Sequence, residues 1–125
     1  MASLGERLKR SIVAGADLST YQFRVVDESG LLSNGTHSSA AGILENKPEA
    51  GQSCEVAMIG EMKGIAGAAI AAKVMVKVQS GGWLITATSG SGAVGRNTNN
   101  AVSSGETFRW LGNFLLGTPA EDNNS

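Results

Sequence analysis

Apolar and polar residues alternate most cleanly over residues 73–79. Val74, Val76 and Val78 fall on one side, and Lys73, Met75, Lys77 and Gln79 on the other. A period of two marks a β-strand with one buried face. The same reading predicts strands over Tyr21 to Val26, Ala41 to Leu44, Cys54 to Ile59, Trp83 to Thr88, and Thr107 to about Leu116. Cys54, Val56 and Met58 share one face of the third, and Gly112 predicts a bend or bulge in the last. Turn signals separate these runs: Asn34-Gly35, the Glu45–Gln52 loop with Pro48 and Gly51, and Gly81-Gly82. In "GIAGAAIAA", residues 64–72, alanine favours helix, but Gly64 and Gly67 weaken it and only Ile65 and Ile70 are large. That run predicts a compact turn with at most one helical turn. Short strands divided by turns predict an all-β domain over residues 19–117, a small β-sandwich or barrel of short antiparallel strands. Val56, Val74, Val76 and Val78 are its expected core.

The ends read differently. Over residues 1–18, Leu4, Leu8 and Ile12 recur at four-residue spacing with Arg7, Lys9 and Arg10 between them. This is an extended N-terminal arm, with the option of a short amphipathic helix that needs a surface to dock on. Leu4, Arg7, Leu8, Arg10 and Ile12 are its candidate partner-contact residues. Residues 118–125, "TPAEDNNS", read as a disordered polar tail.

Composition narrows the function. A chain of 125 residues makes one domain. Ten basic and eleven acidic residues give a net charge of −1, which argues against a nucleic-acid partner. No run of apolar residues is long enough to span a membrane, and the N-terminus lacks the apolar region of a secretory signal. The single cysteine, Cys54, leaves no internal disulfide and fits a reducing compartment or an intracellularly assembled particle. The glycosylation-type triplets at Asn34 and Asn123 are then chance matches.

Candidate chemistry is sparse. "SGSGAVGRN", residues 89–97, contains a literal G-x-G-x-x-G at Gly90, Gly92 and Gly95 after a strand. A dinucleotide site needs a helix to start there, so that a pyrophosphate can sit on its N-terminus. The following Asn-, Thr- and Ser-rich residues form helices poorly, and Glu106 comes too early to hold a ribose. The loop reads as a hairpin turn. His37 is alone in a polar loop, with no Cys or His at ligand spacing. Cys54 on an apolar strand face reads as a small buried hydrophobe. Glu45, Glu49, Glu55 and Glu61 are scattered, with no pair marked as acid and base. Trp83, Phe108, Trp110 and Phe114 read as core. The expectation is no enzyme, no catalytic residue, no metal and no cofactor.

The order of motifs adds a resemblance. Gly42-Ile43, Pro48 to Gly51, Val56 to Gly60, Ile65 to Ile70, Gly81-Gly82, Val94-Gly95 and Gly105-Glu106 follow one another in a recognisable sequence. Over residues 18–116 this resembles the small capsid decoration (cement) proteins of tailed bacteriophages. One departure is Ala71-Ala72-Lys73, where that family commonly has Gly-Asp. The resemblance implies a non-enzymatic protein made in the bacterial host cytoplasm and bound to the outer capsid surface of the virion. Its expected partners are the major capsid protein and itself, as a homotrimer or alternatively a dimer. The rival reading is a carbohydrate- or host-surface-binding β module of a fibre or spike.

Overall fold

The computed structural model describes residues 8–35, 39–87, 92–98 and 100–114. It is all-β, with eight strands in one antiparallel sheet and no α-helix among the described residues. The strands are β1 (Leu8–Val13), β2 (Val25–Asp27), β3 (Ala40–Leu44), β4 (Ser53–Ile65), β5 (Met75–Gln79), β6 (Trp83–Thr86), β7 (Ala93–Asn97) and β8 (Thr107–Asn113). The pairing order is β2-β3-β4-β8-β7-β5-β6, and β1 also pairs with β4.

The sheet curls until its ends nearly meet, forming an almost closed barrel. Ala66, just past β4, forms a parallel bridge to Leu84 of β6, and the Gly67 amide donates to the Leu84 carbonyl at 2.8 Å. The Val25 amide of β2 donates to the carbonyl of Gly82, just before β6, at 2.9 Å. These contacts cover edges that would otherwise expose unpaired backbone groups.

β4 is the longest strand and serves two cores. Its N-terminal half pairs with β1 and β3, and its C-terminal half with β8. Inside the barrel, Ile43, Met62, Val76, Leu84, Val94, Phe108 and Trp110 are buried together. A second cluster on the other side of β2, β3 and β4 joins Val26, Leu44, Cys54 and Val56 to Ala14 and Leu18. Val25 and Val26, or Ile43 and Leu44, therefore supply opposite faces to different cores, as alternation along a strand requires.

Trp110 occupies the middle of the barrel and is fully buried. Its ring lies over backbone. A Cβ built on Gly95 would come within 2.6 Å of the indole, and one on Gly112 within 2.7 Å. Phe114 meets the ring edge-on, with centroids 5.6 Å apart. Among the described residues the indole nitrogen has no hydrogen-bond partner, a deficit of about 1–3 kcal/mol set against burial of the largest side chain in the core.

Several sequence expectations change. Tyr21 to Arg24 is a turn, because Tyr21 and Arg24 bond back to Leu18 and Tyr21 through their amides, and only Val25–Asp27 is strand. β4 continues past Ile59 to Ile65, since Gly60 and Gly64 remain in regular register with β8. The run 64–72 thus begins in a strand, and its Ile70 bridges Val102. Gly112 sits opposite Gly60 in an unbroken register, without a bulge; the closeness of Trp110 is what demands glycine there. Asn34-Gly35 lies within the longer connection from β2 to β3 rather than in a two-residue hairpin. Gly92 leads into strand β7 rather than a helix, which removes the dinucleotide reading. The hairpin alternative changes too, because β6 and β7 flank β5 on opposite sides and the chain crosses between them.

At Ala71-Ala72-Lys73, Lys73 itself adopts a left-handed backbone, φ +67°. Buried Asn97 holds this turn by donating through Nδ2 to the Ala71 carbonyl at 3.0 Å, while Lys73 Nζ donates to the Thr98 carbonyl at 2.9 Å. Val76 and Val78 are buried and Val74 packs partly buried on the main core, matching the strand's alternation.

Candidate functional site

The N-terminal segment carries the residues expected to contact a partner. Leu4 and Arg7 lie outside the described residues. Leu8, Arg10 and Ile12 lie on β1, which is extended, so the helical option is replaced for these residues. Its register against β4 runs from Leu8 opposite Ile59 to Val13 opposite Ser53, with an irregularity after Leu8. Ile12 packs half-buried on the second cluster, and Leu8 is 52% exposed. The two positive charges of β1 are already answered. Arg10 makes a two-point contact with Glu28 at 2.9 and 3.1 Å, and Lys9 Nζ lies 3.1 Å from Glu45. The sheet therefore includes residues assigned to the arm, and Ala14 and Leu18 are core.

Sequence reasoning missed a cleft of about 470 Å³ between the 21–24 turn and strands β4 and β8. Gln22, Phe23, Glu45, Glu61, Lys63 and Arg109 line it, with Met62 behind. Phe23 holds φ at +71°, a conformation that bulky side chains rarely adopt and one that costs of order 1 kcal/mol or more. Its amide is fixed by the Leu44 carbonyl at 2.7 Å, and Lys63 Nζ lies 5.5 Å from its ring centre. Gln22 donates to the Glu45 carbonyl at 2.8 Å. An aromatic face beside an amide, carboxylates and cations can hold a polar ligand that has one apolar side. No sequence signal marks it, because its residues come from four separated segments.

Beside the cleft, the Arg24 guanidinium lies 3.5 Å from the centre of the Trp83 ring and 5.2 Å from that of Tyr21. It donates to the Gly81 carbonyl at 2.7 Å. Burial lowers its pKa from the ordinary value, opposed by Tyr21, yet it stays a cation across the physiological range. This stack ties the 21–24 turn to β6 where the barrel closes.

The other single residues considered for chemistry stay apart. His37 lies outside the described residues. Cys54 is fully buried, and that burial pushes its thiol pKa up, away from the reactive thiolate. Among the described residues no three His, Cys, Asp or Glu side chains gather as metal ligands. No helix of the described residues is long and apolar enough to cross a membrane.

No known family model matches the chain. No curated protein matches it either. Among solved structures, it is similar to the N-terminal base of head fiber gp8.5 of bacteriophage phi29, with a TM-score of 0.63. The match covers 87% of this chain and 96% of that one at 11% sequence identity. At that identity the likeness is one of fold, and it extends across nearly the whole β architecture.

Proposed function

We propose that the chain is a non-enzymatic structural protein of a phage virion, a decoration protein that binds the outside of an assembled head and stabilises contacts between neighbouring capsomers. The observation that carries this is the fold likeness, over 87% of this chain, to the base of a head fibre. The order of turn motifs from Gly42 to Glu106 supports the same reading independently. The mechanism is differential binding. A protein that binds the expanded lattice and not free subunits stabilises that lattice by mass action, and many copies around the shell add avidity. A homotrimer suits sites where three capsomers meet, because each protomer then presents one copy of the same surface to each neighbour.

The test is addition of the purified chain to expanded heads that lack it. Saturable co-sedimentation with expanded heads, none with unexpanded shells, and a higher temperature of DNA release are the expected results. Light scattering and a virion map give the copy number per site. Absence of binding to heads would overturn the reading.

A host-surface module remains the second reading, favoured by the cleft beneath Phe23 with its amide and carboxylates. A glycan array answers it. Binding of a saccharide by the wild type that Phe23→Ala abolishes would favour this reading.

A further inference from the structure

The outer face of strands β4, β8, β7 and β5 is basic in a chain of net charge −1. Cross-strand register assembles it. Glu61, Leu111, Arg96 and Met75 form one row across the four strands, and Lys63 faces Arg109 in the next. Lys77 lies two residues beyond Met75 on β5, on the same face. Lys63, Lys77, Arg96 and Arg109 are four of the chain's ten basic residues, gathered around Glu61, with Glu45 sharing the cleft of Lys63 and Arg109.

Three observations set this face apart. Lys63 and Arg109 stand directly opposite each other, an unfavourable arrangement of like charges, and Glu45 and Glu61 share their cleft at one side only. Lys77, Arg96 and Arg109 make no ion pair among the described residues, in contrast to Lys9 and Arg10 on β1. At the centre Leu111 is 52% exposed, an apolar side chain within a polar rim. A central anchor ringed by charge is the layout of a protein interface.

We propose that this face docks on a partner protein that presents acidic side chains around an apolar socket. Leu111 enters the socket while the cations pair with the surrounding carboxylates. The proposal rests on the head-bound reading, and the partner is then the shell protein. A nucleic-acid partner fits less well, because the centre is leucine and the chain as a whole is acidic.

The experiment compares wild type, Arg96→Glu/Arg109→Glu, Leu111→Asn and the control Lys47→Gln, an exposed cation in the connection from β3 to β4, for binding to expanded heads lacking the chain, at low and high salt. Melting curves accompany each, and Arg96→Gln/Arg109→Gln replaces the reversal if that variant unfolds. The proposal expects wild-type binding that weakens with salt. It also expects a loss of at least about tenfold in the charge and leucine variants with no lowering of the melting temperature, and little change in the control. Wild-type affinity in the face variants would overturn the proposal and leave head binding standing. Failure of the wild type to bind heads would remove the head-bound reading, and the proposed partner with it. Loss of self-association in the face variants, with head binding kept, would overturn it in favour of a second copy as occupant. Binding of a DNA duplex at moderate salt, abolished by the charge variants, would overturn it in favour of nucleic acid.

Discussion

Trp110 and the glycines beneath it set the tolerance of the barrel to substitution. At Gly112 an added methyl would lie 2.7 Å from the Trp110 ring and 3.1 Å from the Met62 terminus, so the ring, itself close on Gly95, must shift. Gly112→Ala should cost about 1–3 kcal/mol, the range for overpacking, measured as a lower midpoint in denaturant titration. Gly105 is the control position, since a Cβ there meets nothing within 4 Å. Its φ of +88° still disfavours alanine, so Gly105→Ala measures backbone strain without a steric clash. Cys54 gives a second prediction. Its folded-state pKa is raised by burial, so the native state holds the thiol proton more tightly than the unfolded chain does. Stability from this group is complete below the ordinary value of 9.0 and falls as pH rises through it. Wild type should therefore lose more stability than Cys54→Ala between neutral and strongly alkaline pH, by urea unfolding at each pH.

At the scale of elements, the strands whose evidence is local were legible in the sequence. Val76 and Val78, with Val74 just before the strand, mark β5 because burial on one face imposes a period of two. Elements whose evidence is distant were not. β4 looked finished at Gly60, since glycine weakens isolated strands, yet pairing with β8 carries it on to Ile65. β1 was ambiguous for a simpler reason. A spacing of four, as between Leu8 and Ile12, is close to one helical turn and is also an even step along a strand. Pairing with β4 decides the matter. The cleft was illegible, because Gln22, Glu61 and Arg109 meet only once the barrel is closed. The β1 result carries a prediction. Removal of residues 1–13 takes away a six-residue strand and uncovers part of the cluster containing Cys54 and Val56. It should lower stability by at least about 2 kcal/mol, read by thermal melting, so any loss of head binding must be compared with full-length chain well below the midpoint of the truncated form.

For the whole molecule, the shared strand β4 joins the two hydrophobic clusters into one folding unit. Ala57 and Met62 belong to the barrel core, while Cys54 and Val56 belong to the outer one, all on the same strand. Neither cluster can melt without freeing part of β4. Calorimetry should show a single transition with calorimetric and van't Hoff enthalpies equal, and two resolved transitions would mean that the clusters unfold separately.

The register places Gly60, Gly112 and Gly95 side by side on β4, β8 and β7. A line of positions without side chains crosses three neighbouring strands at right angles to their run. Such a line is a crease. Sheet curvature is limited by crowding of side chains on the concave side, and along this line there is none, so the sheet can fold sharply and wrap one large indole where several smaller groups would otherwise be needed. Side chains placed along the whole crease would favour a flatter sheet, with Trp110 displaced and the contacts of Val25 with Gly82 and of Ala66 with Leu84 pulled apart. The closure of the barrel at one side is thus governed by three hydrogens on the other.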